Sequence, residues 1–190
     1  MNRTLLILAM FCSASTFAQS PVINNAEIDG SGMQYQGNLA VNQAAGDLQQ
    51  QANARAFANG HNASASTQIR QRLRTVVDPN MEARSSIQGA SFSHGNGALG
   101  VNQSSGASNQ QANALRISIS AQPQSIDDSV LMQQNVALIN NSDPTDSTPG
   151  YRQVTTSDQA FTGSRGVIQL NQSAGVGNRM ANTLSVRVVD

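Results

Sequence analysis

Lysine is absent from this 190-residue chain, so its 11 basic side chains are all arginine, and 11 acidic ones bring the formal net charge to zero. Without lysine there is no phosphate-loop or kinase-strand lysine and no Schiff-base chemistry. The balanced charge leaves no electrostatic footprint for nucleic acid or an anionic membrane surface. Tryptophan is also absent, and beyond residue 18 the aromatics are Tyr35, Phe57, Phe92, Tyr151 and Phe161. So few large apolar side chains argue against a conventional globular core. The single cysteine, Cys12, lies in the N-terminal apolar run, which leaves the rest of the chain without a disulfide, a zinc thiolate or a thiol nucleophile. That run, Leu5 to Phe11, falls short of the roughly 20 apolar residues a membrane helix needs, and no longer one follows.

The N-terminus has the layout of an export signal. Asn2 and Arg3 precede the apolar run, and Thr16-Phe17-Ala18 makes a small-x-small cleavage site, so residues 1–18 are expected to be removed and the mature chain to begin at Gln19. Phe11, directly before Cys12, is too large for a lipoprotein cleavage box. The expected product is exported and does not span the membrane.

What the chain does contain is asparagine, glutamine, serine, alanine and glycine. Such a chain either stays disordered or orders by stacking backbone and amide side chains in cross-β fashion, and an internal repeat favours stacking. Three segments match without gaps: Gly37 to Gly46 (GNLAVNQAAG), Gly97 to Gly106 (GALGVNQSSG) and Gly166 to Gly175 (GVIQLNQSAG). Each continues through a short turn into a second segment around Asn53, Asn113 or Asn182. Leu39, Val41 and Gln43 alternate, as do Leu99, Val101, Gln103 and Ile168, Leu170, Gln172, which puts each set on one face of a strand with Asn42, Asn102 and Asn171 on the other. The turn begins at Gly46, Gly106 or Gly175, where glycine reaches positive φ without a Cβ penalty.

One such strand-turn-strand unit buries too little to stand alone. Stacked units pair their backbones at about 4.8 Å, and equivalent amides form ladders. The expected fold is therefore all-β: three repeats stacked as an amyloid-like β-solenoid or β-arch with irregular, projecting linkers. The expected boundaries are 19–36 for an N-terminal segment, 37–58, 97–119 and 166–190 for the repeats, and 59–96 and 120–165 for the linkers. The residues expected to carry assembly are Asn42, Gln43, Gly46 and Asn53, then Asn102, Gln103, Gly106 and Asn113, then Asn171, Gln172, Gly175 and Asn182. A capped solenoid monomer is the plainer alternative, but the last unit ends without proline or a long cap, and Arg187 and Asp190 are its only charges from Leu184 onward.

These residues resemble the Fap-type bacterial functional amyloid subunits, whose three imperfect repeats are separated by two linkers. The signal peptide, the G-x-[LI]-x-[VL]-N-x-x-x-G core and the Gln-Gln-Ala-Asn of residues 50–53 and 110–113 carry the resemblance. Curli-type repeats are similar more distantly, through residues 172–181. The resemblance implies a secreted subunit, major, minor or nucleating, of an extracellular fibre in biofilm matrix and adhesion. Its partners would be its own copies, other fibre subunits and outer-membrane secretion machinery. A Cys-x-x-Cys near the C-terminus, associated with the major subunit, is missing here. The alternatives are a periplasmic accessory protein that binds fibre subunits and a monomeric surface adhesin with a flat Asn/Gln face for carbohydrate.

No cofactor, metal or catalytic residue is assigned. Gly95 to Gly100 satisfies a dinucleotide-binding spacing but leads into a strand where that motif opens a helix. His61 and His94 sit beside glycine and asparagine without metal-ligand spacing. Asp127-Asp128 reads as a solvated turn or helix start, Val130 to Ile139 as a short helix or strand, and Arg70, Arg72 and Arg74 as one charged strand face that discourages mispairing.

Overall fold

The computed structural model describes residues 22–73, 80–121 and 150–189, and all regular structure there is strand. The nine strands are β1 (Ile23–Asp29), β2 (Gln36–Ala45), β3 (Gln50–Gly60), β4 (Glu82–Gln88), β5 (Asn96–Ala107), β6 (Gln110–Ser120), β7 (Arg152–Thr156), β8 (Arg165–Val176) and β9 (Arg179–Val189). They form three parallel three-stranded sheets, β1-β4-β7, β2-β5-β8 and β3-β6-β9. Consecutive strands never pair with each other. Each unit gives one strand to each sheet, and the units lie on one another in register, with Gly37 on Gly97 on Gly166 and Asn53 on Asn113 on Asn182.

Two features differ from the sequence expectation. Each unit holds three strands rather than two, because β1, β4 and β7 precede the recognisable repeat, in the segment 19–36 and in the two linkers. The first linker also does not simply project. Gln50 Nε2 donates to the Arg72 carbonyl, Gln71 Nε2 donates to the carbonyls of Gln50 and Gln111, and the Ser120 hydroxyl bonds to the backbone at His61 and Ala63. These bonds tie residues 61–73 to the strands of the third sheet without adding a strand. Arg70 and Arg72 are therefore not on a strand face, while Arg74, Asp127-Asp128 and Val130 to Ile139 fall outside the described residues.

The middle sheet is covered on both faces. Toward β1, β4 and β7 it sends Leu39, Val41, Leu99, Val101 and Leu170, which pack with Ile28, Ile87, Tyr35, Phe92 and Phe161. Toward β3, β6 and β9 it sends asparagines. The interior is thus half apolar and half amide, although parallel strands covered on both faces are usually apolar throughout.

The arcs between sheets need left-handed residues at fixed positions. The stacked set Gly32, Phe92 and Phe161 has φ of 68°, 58° and 61°, and Gln34, His94 and Gly163 form a second such set. Phe92 and Phe161 stack with centroids 5.4 Å apart, and Gly32 lies flat against the Phe92 ring, where its lack of a side chain makes room. Phe92 is 1% exposed. Phe92→Ala keeps the strained backbone while losing the packing, so it is expected to cost about 3–5 kcal/mol, read as a lower unfolding midpoint. Phe161→Ala, at the half-buried end of the stack, should cost less.

Candidate functional site: the amide ladders

The amide half of the interior is built by strand geometry. Adjacent residues on β2, β5 and β8 point to opposite faces, so each Asn-Gln pair sends its asparagine toward the third sheet and its glutamine toward the first. On the third-sheet side, Asn102 Nδ2 donates to Asn42 Oδ1 at 2.9 Å and Asn171 Nδ2 to Asn102 Oδ1 at 3.0 Å. The facing ladder runs alike, with Asn113 Nδ2 to Asn53 Oδ1 at 3.0 Å and Asn182 Nδ2 to Asn113 Oδ1 at 3.1 Å. Rungs cross between the two: Asn53 donates to Asn42, Asn113 to Asn102 and Asn182 to Asn171. On the other face Gln103 Nε2 donates to Gln43 Oε1 at 2.8 Å and Gln172 Nε2 to Gln103 Oε1 at 2.9 Å.

Backbone carbonyls decide which amide atom is nitrogen. Asn113 Nδ2 also donates to Val101 O, Asn102 Nδ2 to Ala52 O, and Gln103 Nε2 to Ala26 O and Ser86 O. A flipped amide would set oxygen against oxygen at each of these contacts. The ladders therefore tie all three sheets together as well as the layers. Burial in the middle unit is complete: Asn102 and Gln103 are 0% exposed and Asn113 is 1% exposed. An unsatisfied buried amide costs a few kcal/mol, so this interior holds only while the layers stay in register.

Gly46, Gly106 and Gly175 occur where successive arcs touch. A Cβ on Gly46 would clash with the carbonyl oxygen of Gly106, and one on Gly106 with that of Gly175. A second stack meets in the opposite sense: a Cβ on Gly97 would strike the Gly37 carbonyl, and one on Gly166 the Gly97 carbonyl. The layers could not close to parallel-sheet spacing with side chains at these points.

Several contributors were not singled out from sequence. Gln49 Nε2 donates to Gly106 O at 2.8 Å, Asn109 Nδ2 to Gly175 O at 3.0 Å and Asn178 Nδ2 to Asn109 Oδ1 at 3.0 Å, making an arc ladder. Ser85 and Thr156 hydroxyls donate to the ladder oxygens of Gln103 and Gln172. The shared [NQ] at 49, 109 and 178 was visible in the repeat pattern, whereas the Ser85 and Thr156 contacts depend on a sheet the pattern did not reveal.

Charge is distributed by column. Among the paired columns no two charged residues stack: Glu27 lies under Ser86 and Thr155, Arg55 under Leu115 and Leu184, Ala56 and Ser185 flank Arg116, and Arg179 stacks on Gln110 and Gln50. Like unit charges about 4.8 Å apart would repel by about 3.5 kcal/mol at an effective dielectric near 20. Arg55 turns inward, donating from Nη2 to Leu39 O at 2.6 Å beside Gly100, and burial holds its guanidinium below its ordinary pKa.

No group of three or more His, Cys, Asp or Glu able to hold a metal occurs among the described residues. His94 lies in an arc with its ring against Gly163, His61 adjoins the linker contact with Ser120, and Gly95 sits under the Tyr35 ring. No helix among the described residues is long and apolar enough to cross a membrane.

A family model described as functional amyloid protein FapB/FapC matches residues 12–189. The functional amyloid subunit FapC of Pseudomonas aeruginosa is 38% identical over 109 residues, which cover 52% of this chain and 31% of that protein. The aligned part thus spans about a third of the relative's length. No solved structure matches.

Proposed function

This chain belongs to the functional amyloid protein FapB/FapC family, and from that premise we propose that it is a secreted fibre subunit whose three units form an open β-solenoid that extends by stacking further copies. The observation that carries the reading is the unbroken in-register ladder of Asn42, Asn102 and Asn171 with Asn53, Asn113 and Asn182, which no further strand covers at either outer layer among the described residues. Among the described residues Asn42 Nδ2 and Asn182 Oδ1 have no hydrogen-bond partner, and the outer strands present unpaired edges. Another copy satisfies both.

The twelve repeat residues then act twice, holding layers together within a chain and between chains. The boundaries 37–58, 97–119 and 166–190 mark the part of each unit that carries the ladders, with β1, β4 and β7 as a cover for the apolar face. In a continuous stack each charge recurs every third layer, about 14 Å apart, beyond the Debye length of roughly 8 Å at physiological salt. Three unlike units thus dilute charge in a way identical units would not. The work of such a protein is mechanical: an extracellular fibre exported through the periplasm and an outer-membrane pore, contributing to biofilm matrix and adhesion. A carbohydrate-binding adhesin would need its amide face open, and here that face is interior.

Purified Gln19 to Asp190 incubated without stirring is expected to give unbranched fibres with reflections near 4.8 Å and about 10 Å. A protein that stays monomeric and neither seeds nor accepts seeds would move the reading to an accessory role.

A further inference from the structure

Resting on that reading, we infer that copies join in one direction only: the layer of β1, β2 and β3 of one copy docks on the layer of β7, β8 and β9 of the preceding copy, with Asp47 of the incoming copy set beside Arg179 of the seated one.

The first ground is the donor direction of the ladders. In the Asn42, Gln43, Asn53 and Gln50 columns the side-chain N–H always points from the later unit to the earlier one, as in Gln110 Nε2 to Gln50 Oε1 at 2.9 Å. The Gln51 column runs the other way, Gln51 Nε2 to Gln111 Oε1 and Gln111 Nε2 to Met180 Sδ, and Gln49, Asn109 and Asn113 also donate forward, to the carbonyls of Gly106, Gly175 and Gln169. The first layer therefore offers Asn42 Nδ2 and the last offers Asn182 Oδ1. First layer on last layer continues the Asn42, Gln43 and Asn53 ladders, while the Gln50 and Gln51 columns meet Arg179 and Met180. First on first sets N–H against N–H, and last on last sets oxygen against oxygen.

The second ground is charge, a separate observation. Residues 22–60 hold three carboxylates, Glu27, Asp29 and Asp47, and one arginine, Arg55, whereas residues 150–189 hold four arginines, Arg152, Arg165, Arg179 and Arg187, and one carboxylate, Asp158. Carrying the internal register one step further places Arg179 in the Gln50 column of the next copy and Val176 beneath its Asp47. The Arg152 side chain lies against Gly175, in the column of Gly46, so two arginines flank the place where Asp47 arrives. Among the described residues Arg179 Nη2 is buried without a hydrogen-bond partner, and Asp47 lies exposed in its arc without an ion pair. The same step gives the joint one charge per column, as inside the chain. Opposite-sign ends favour this encounter and oppose the two wrong ones.

The third ground is steric. A Cβ on Gly37 meets nothing within 4 Å in the single chain, yet its counterparts on Gly97 and Gly166 clash with the carbonyl of the layer before. In the joint the Gly37 Cβ would strike Gly166 O of the seated copy.

The test is elongation from wild-type seeds labelled in one colour, followed by microscopy, with full-length mature protein at about 50 mM and 500 mM salt. Asp47→Arg and Arg179→Asp should each slow growth by their own monomers at least about tenfold at low salt, and the double variant Asp47→Arg with Arg179→Asp should recover most of the rate. Asp47→Arg monomers should add to one seed end and stop it, leaving the other end able to extend with wild-type. Gly37→Ala should keep the monomer's strand content and stop growth. Equal growth of wild-type and both single variants at low salt, or growth of all variants from both ends alike, overturns the joint while fibres still form. Wild-type that never elongates sinks the fibre reading beneath it.

Discussion

Gly106→Ala is expected to separate the second and third units. Gly106 has φ of 107°, in the left-handed region, and is buried against the next arc. Alanine there carries about 1–2 kcal/mol of backbone strain, and its Cβ points at the carbonyl oxygen of Gly175, which is backbone and cannot swing aside. Relief requires β5 and β8 to move apart, which breaks the Asn102–Asn171 and Gln103–Gln172 rungs together. The combined cost should exceed about 4 kcal/mol, the range reserved for strain and buried-network failures, out of a total that for a domain of this kind is about 5–15 kcal/mol. Hydrogen exchange on β5 and β8 should lose its protection, and thermal unfolding should shift or vanish. Gly60→Ala is the control: its Cβ meets nothing within 4 Å, so it should change stability by no more than about 0.5 kcal/mol. Equal behaviour of the two variants would refute the idea that these arcs touch.

Asn113→Asp should be nearly as severe and, unlike the glycine variant, reversible by acid. Asn113 is 1% exposed, and its nitrogen donates to Asn53 Oδ1, Val101 O and Asn102 Oδ1. Replacing that nitrogen by a carboxylate oxygen turns three attractions into oxygen–oxygen repulsions and buries a charge with no counter-ion among its ladder partners. An uncompensated buried charge costs about 3–5 kcal/mol. Burial and those oxygens raise the folded pKa of the introduced carboxyl above its unfolded value of about 3.9. The folded state then binds the proton more tightly, so the charge penalty is absent below about pH 3.9, grows as pH rises, and is complete above the folded pKa. Asn113→Leu removes the same hydrogen bonds without a charge and should cost about 1–3 kcal/mol regardless of pH. The difference between the two variants, followed from pH 3 to pH 7, isolates the charge. A difference that stays flat would mean the Asn113 site is open to water.

Reading the strands from sequence worked where a polar pattern repeats almost letter for letter. The Val-Asn-Gln and Leu-Asn-Gln triplets at 41–43, 101–103 and 170–172 are long enough, and alternate regularly enough, to mark β2, β5 and β8 with their faces. The first strand of each unit escaped because its members share little: Asn25, Arg84 and Gln153 stack in one column, and Ala26, Ser85 and Val154 in the next. Only the inward residues of these short strands are constrained, and small or medium side chains of several kinds fill the space. Phe92 was legible as an aromatic but not as a partner of Phe161, since the two are brought together only when the arcs stack.

The order of residues alone determined that this chain stacks rather than packs: no tryptophan, few aromatics, and amides at matching places in three units leave backbone pairing and side-chain ladders as the available cohesion. It also determined register, because a one-residue slip would turn Asn42, Asn102 and Asn171 onto the apolar face. The tertiary structure decided what a one-dimensional pattern does not hold. It put Gln103 under the first sheet and Asn102 under the third, gave the Asn42, Gln43 and Asn53 ladders a common donor direction, and left unlike charges at the two ends. Those properties arise from which carbonyls each side chain meets, and such contacts exist only after residues some 60 positions apart share a layer boundary.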